Sequence, residues 1–111
     1  MRVTVKRDVL EKVDEKNFLI AIIGNLEAVK NNGITIDEAE KFLFSPHMAN
    51  KLKKEKCDEK IIELIKKGCE LEDVASLIPE RFDEVIDEMK RDALVIIQNY
   101  EEYNKSFWIE E

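Results

Sequence analysis

His47 is the only histidine in the chain, and that removes most metal and proton-relay chemistry. A zinc site of the HExxH type needs two imidazoles on one helical face. A histidine relay needs a base held by a third group. Neither spacing is present. Cys57 and Cys69 stand twelve apart with no CxxC pair, and both fall on helix faces or ends that look inward. With no secretory signal, they read as buried thiols of a reducing cytoplasm. Gly24, Gly33 and Gly68 are isolated, so no loop can cradle a phosphate. Ser45 and Ser76 lack the context of a nucleophile elbow. Ser45 instead reads as a helix cap, with His47 a surface residue beside it. Carboxylates are plentiful, as in Glu80, Asp83, Glu84 and Asp87. They project into water from a helix whose other side is apolar, and water gives them no shifted pKa for acid–base work. The sequence therefore predicts no catalytic set, no metal and no cofactor, and a protein that is not an enzyme.

Two surface features point toward partners. Residues 51–67 hold a lysine excess (Lys51, Lys53, Lys54, Lys56, Lys60, Lys66, Lys67), and residues 70–92 an acid excess (Glu70, Glu72, Asp73, Glu80, Asp83, Glu84, Asp87, Glu88, Asp92). A block of one sign steers a partner of the other, or two copies pair head to tail. The chain also ends in aromatics: Tyr100, Tyr103, Phe107 and Trp108. Three of these continue an apolar stripe, and Trp108 lies off it, free to anchor a neighbour. The expected contact residues are Asp83, Glu84, Asp87, Glu88, Tyr103 and Trp108, facing a basic protein partner. Self-association is expected from the arm Val3 to Val5 together with Trp108. The formal charge of −7 disfavours phosphate backbones and anionic lipid. A helix-turn-helix reading of residues 35–67 finds no base-reading set of Arg, Asn and Gln. The second functional reading, a nucleic-acid-linked regulator, uses the Lys51–Lys67 segment.

The element that must carry these surfaces is Phe18 to Val29, FLIAIIGNLEAV. At 100° per residue, Phe18, Leu19, Ile22, Ile23, Leu26 and Val29 share one face, and Ala21, Gly24 and Ala28 lie nearly opposite. Bulky neighbours would fill the first face, and a second backbone would approach Gly24 on the other. Asp8 and Glu11 fit a capping box, which predicts one long helix from about 9 to 31, with a break near Asp14 as the alternative. Asn31-Asn32-Gly33 ends it, since Gly accepts the left-handed conformation and Asn tolerates it. Thr35 to Glu38 is a second box, opening a short helix through Leu43 with Ile36, Ala39 and Leu43 inward and Phe42 and Phe44 flanking. Ser45 and Pro46 start a third helix with Met48, Ala49 and Leu52 inward. Asp58 caps a fourth, with Ile61, Leu64 and Ile65 buried and Gly68 as its stop. A fifth follows from Glu70, with Leu71, Val74, Ala75 and Ile78 inward. Pro79 opens the last, from 79 to about 105, whose stripe runs Phe82, Val85, Ile86, Met89, Ala93, Ile96, Ile97, Tyr100, Tyr103, Phe107.

The fold expected is an all-α single-domain helical bundle over 1–111. Two long helices, about 9–31 and 79–105, clasp each other, with three or four short helices between and an extended N-terminal arm over Met1 to Arg7. Charged residues at 39% against 44% hydrophobic suit a globular chain. The apolar run is bounded by Lys16 and Asn17 and broken by Asn25 and Glu27, too short for the roughly 20 residues of a membrane span.

Gly33-Ile34-Thr35-Ile36-Asp37-Glu38-Ala39-Glu40, Leu43-Phe44-Ser45-Pro46, Leu71-Glu72-Asp73-Val74 and Leu77-Ile78-Pro79 together resemble a small bacterial family of uncharacterised, mostly helical proteins, a domain of unknown function. The resemblance covers nearly the whole chain. Its segments are caps and core positions, so it implies a fold and carries no catalytic residues across. The function expected from all of this is a non-catalytic interaction module of the bacterial cytoplasm. A small acidic inhibitor or immunity-type protein that caps a basic toxin is its specific form.

Overall fold

The structure is a computed structural model that describes residues 12–102, with side chains from residue 14. Six α-helices follow one another: α1 (Lys12–Lys30), α2 (Ile36–Phe42), α3 (Pro46–Lys54), α4 (Glu59–Gly68), α5 (Leu71–Leu77) and α6 (Phe82–Ile97). The most extensive pairing joins α1 to α6, and the four short helices complete the core between them. The all-helical architecture and the two-helix clasp are as expected. The arm Val3 to Val5, the Asp8 box, Tyr103, Phe107 and Trp108 lie outside the described residues.

The caps follow their residue types. Thr35 accepts from the Glu38 amide, and the Glu38 carboxylate accepts from the Thr35 amide, both at 3.0 Å. Ser45 accepts from the Met48 amide at 3.1 Å with Pro46 in the first turn. Asp58 accepts from the Lys60 amide at 2.8 Å. Helix α1 closes through paired bonds from Gly33 N to Ala28 O and from Asn32 N to Val29 O, the Schellman arrangement. Its left-handed residue is Asn32, at φ 63°, and Gly33 is not left-handed. The same closure ends α3, where Cys57 N donates to Leu52 O and Lys56 N to Lys53 O. There Lys56 holds φ 59°, a position usually given to Gly or Asn.

The core is one cluster. Leu19, Ile22, Leu26 and Val29 of α1 meet Ile86, Met89 and Ala93 of α6, with Ile61, Ile62, Leu64 and Ile65 of α4 and Leu71 of α5. Phe44, from the α2–α3 turn, is 1% exposed. Each such side chain contributes about 1.5–3 kcal/mol of transfer free energy.

Several sequence expectations are corrected. Gly68 does end α4, but it is the buried last residue of that helix, and a Cβ there would sit 2.2 Å from Phe44 Cδ1. Phe44 is core whereas Phe42 is 66% exposed, because the turn after α2 swings residue 44 under α4. Ile78 is also exposed rather than inward, since α5 ends at Leu77 and Ile78 is its non-helical cap. Pro79 to Arg81 form a 3-10 turn, and α6 begins only at Phe82. It ends at Ile97, short of the expected 105, which lets Tyr100 turn its hydroxyl onto α1.

Gly24 meets no atom within 4 Å of a built Cβ. Helix α6 approaches α1 along Glu27 and Lys30, the flank beside the large residues, and leaves Gly24 facing outward. Gly24→Ala therefore gains helix propensity without a clash, and stability rises by up to about 1 kcal/mol. Urea denaturation checks this; a loss would mean that something packs on that face.

Candidate functional site

The flank between α1 and α6 is laced by charges. Lys30 Nζ donates to Asp87 Oδ1 at 2.8 Å, and Lys90 bonds Glu27 and lies 3.6 Å from Asp87. The Lys30 hydrogen bond holds the Asp87 carboxyl below its usual range, and Lys90 does the same for Glu27. Of the four acids expected to meet a partner, Asp87 is thus engaged with α1. Glu84 pairs with Arg81 at 3.1 Å, and Arg81 lies 4.0 Å from Glu88. Asp83 is exposed, and its charge acts on Lys30. Sequence spacing placed these four on one face but could not show how much of it faces α1.

A second acidic group had no sequence signal, because it joins two helices far apart in the chain. Glu40 of α2 sits with Asp37 near Glu72 and Asp73 of α5. Its carboxyl is pushed up by partial burial and then by the charges of Glu72, Asp37 and Asp73. No cation is paired with Glu40, Glu72, Asp73 or Glu80 among the described residues. Beside Asp73, one helical turn on, Leu77 is 77% exposed, and Ile78 follows at 40%. The α5–α6 corner therefore presents bare apolar side chains inside an acidic field.

At the opposite end of α1 lies a buried polar knot. Glu15 is 2% exposed. Its carboxylate accepts from the Asp58 amide at 2.9 Å and from the Tyr100 hydroxyl at 2.8 Å, tying α1 to the start of α4 and to the chain after α6. Burial, then the Glu15 charge, pushes the Cys57 thiol from 9.0 to about 12. Burial and the bond to Glu15 raise the Tyr100 phenol as well. A thiol held protonated is no nucleophile. Both shifts favour the protonated native state, so the stability they contribute is full below the ordinary thiol pKa. It falls as pH rises toward about 12. Denaturation midpoints should drop steadily above about pH 9, and Cys57→Ala should flatten that drop; an unchanged slope would remove Cys57 from the account.

His47 is exposed, and among the described residues no group of His, Cys, Asp and Glu is arranged to hold a metal ion. An open groove of about 510 Å³ is lined by Asn25, Ile34, Glu38, Lys41 and Phe42. Within it Asn25 Nδ2 donates to Ala21 O, Glu38 Oε1 accepts from Thr35 N, and Lys41 pairs with Asp37 at 3.1 Å. No helix among the described residues is long and apolar enough to cross a membrane.

The family model described as protein of unknown function, DUF3969, matches residues 10–110, and the chain belongs to that family. This agrees with the resemblance carried by its caps and core segments. No curated protein and no solved structure matches the chain.

Proposed function

We propose that this member of the DUF3969 family is a non-catalytic protein–protein interaction module, one cytoplasmic domain whose acidic end receives a basic partner. The observation that carries the reading is the α5–α6 corner. Leu77 and Ile78 stand exposed next to Asp73 and Glu80 on the same stretch of chain, and neither carboxylate forms an ion pair among the described residues. Apolar anchors ringed by charge suit a contact in which side chains pack at the centre and charges set register at the rim. A small acidic inhibitor covering a basic protein is the specific form this favours. Affinity purification from the native host tests it. A partner held by the wild type should be lost by the variant L77S/D73N/E80Q, and retention by that variant sinks the reading.

A second reading, a nucleic-acid-linked regulator, is favoured by one observation: Lys53, Lys54, Lys56 and Lys60 are exposed without ion pairs among the described residues. Absence of duplex DNA retardation at low salt removes it.

A further inference from the structure

We propose that the lysine cluster where α3 meets α4 docks on the acidic end of a second copy of this chain, in a head-to-tail contact. This rests on the reading that the acidic end is an interaction surface, and it names the partner.

The fold separates the two charges in space. The bonds from Asp58 N and Tyr100 to Glu15 put the α3–α4 corner at the start of α1. The Lys30–Asp87 pair puts the start of α6, with α5 beside it, at the end of α1. Between them runs α6, whose 16 residues span roughly 24 Å. That exceeds the Debye length of about 8–10 Å near physiological salt, so each end acts on its surroundings independently.

Residues 51–67 carry seven lysines against four carboxylates, and residues 70–88 carry eight carboxylates against one arginine. At the lysine end, Lys51 pairs with Glu55, Lys66 with Glu63 and Lys67 with Asp92. Asp58 caps α4, the Glu15 carboxylate accepts from its amide, and Glu59, Glu101 and Glu102 are further carboxylates there among the described residues. Lys53, Lys54, Lys56 and Lys60 remain without partners among the described residues. At the acidic end the same holds for Glu72, Asp73 and Glu80, while the charge of Asp83 acts on Lys30.

The two surfaces match in texture as well as in sign. Lysine stems are apolar up to the ammonium, and Leu77 and Ile78 offer apolar ground between the carboxylates. A nucleic acid duplex fits less well, because Glu55, Asp58, Glu59 and Glu63 interleave with the lysines and the whole chain is at −7. Opposite ends engage, so the contact is heterologous and each pair leaves one free end of each kind. Assembly then continues past the dimer.

Salt dependence should be non-monotonic. At about 0.01 M the screening length of about 30 Å lets the whole negative charge push copies apart; near 0.1 M only the contact is felt; well above that the contact is screened too. Sedimentation equilibrium across this series is the test. At about 1 mM protein and about 0.1 M salt, the mean mass should be roughly twice that of one chain, the value for a contact of about millimolar Kd. It should fall back at both salt extremes. The variants K53E/K54E/K56E/K60E and E72K/D73K/E80K should each stay monomeric, with unchanged circular dichroism, and a mixture of the two should associate. A wild type that stays monomeric throughout, or a mixture that does not associate, overturns the proposal. So does duplex DNA retardation that depends on the four lysines while the mass stays that of one chain. If the wild type is monomeric but E72K/D73K/E80K loses its captured host partner, the head-to-tail contact fails and the interaction reading stands; if capture does not respond either, both fail.

Discussion

Gly68→Ala should destabilise the protein by about 2 kcal/mol or more, although helix propensity alone would favour it by about 1 kcal/mol. A Cβ at residue 68 would lie 2.2 to 2.8 Å from three atoms of the Phe44 ring. The ring is 1% exposed and is walled in by the core, so it cannot swing aside. Either α4 lifts away or Phe44 leaves its rotamer, and both undo packing around Ile65 and Leu71. Denaturant titration of the single variant, and of the same change in a Phe44→Val background, separates the causes. In that background the methyl occupies the space the ring vacated, and most of the penalty should vanish. A penalty of equal size in both backgrounds would mean that the ring is not its source.

Glu15→Ala should cost a similar amount, about 2–4 kcal/mol, because it removes the buried acceptor shared by the Asp58 amide and the Tyr100 hydroxyl. Glu15→Gln is the informative partner. Its carbonyl can still accept from Asp58 N, and its amide can donate to Tyr100 once that hydroxyl turns, so the loss should be roughly 1 kcal/mol. Thermal melts of both variants beside Tyr100→Phe complete the comparison. If Gln is as damaging as Ala, the negative charge itself, and not the hydrogen bonding, holds the three segments together.

Much of the fold was legible because its signals are local. Thr35, Ser45 and Asp58 each bond an amide two or three residues ahead, and such reach is written in adjacent letters. The buried faces of α1, α3 and α4 follow from a 3.6-residue period. What the sequence hid is what depends on a distant neighbour. Gly24 and Gly68 look alike in the chain, yet one faces open space and the other a phenyl ring. Glu15 reads as one more surface acid until Tyr100, eighty-five residues away, is placed against it. Lys56 carries no mark of a left-handed residue, and only the paired bonds to Leu52 and Lys53 reveal it. The expected contact acids were partly legible. Their shared face was readable, but the engagement of Asp87 by Lys30 required knowing where α1 lies.

The clasp of α1 with α6 also sets the order in which a growing chain can fold. Among the described helices the first made buries its apolar side against the last, so α1 leaves the ribosome with Leu19, Ile22 and Leu26 uncovered. Helices α2 to α5 can assemble among themselves in the meantime, but the last part of the core must wait for residues beyond 86. Such remote pairing slows folding and prolongs the exposure of sticky surface. Nascent chains stalled before α6 emerges should engage chaperones, and chains stalled after it should be released.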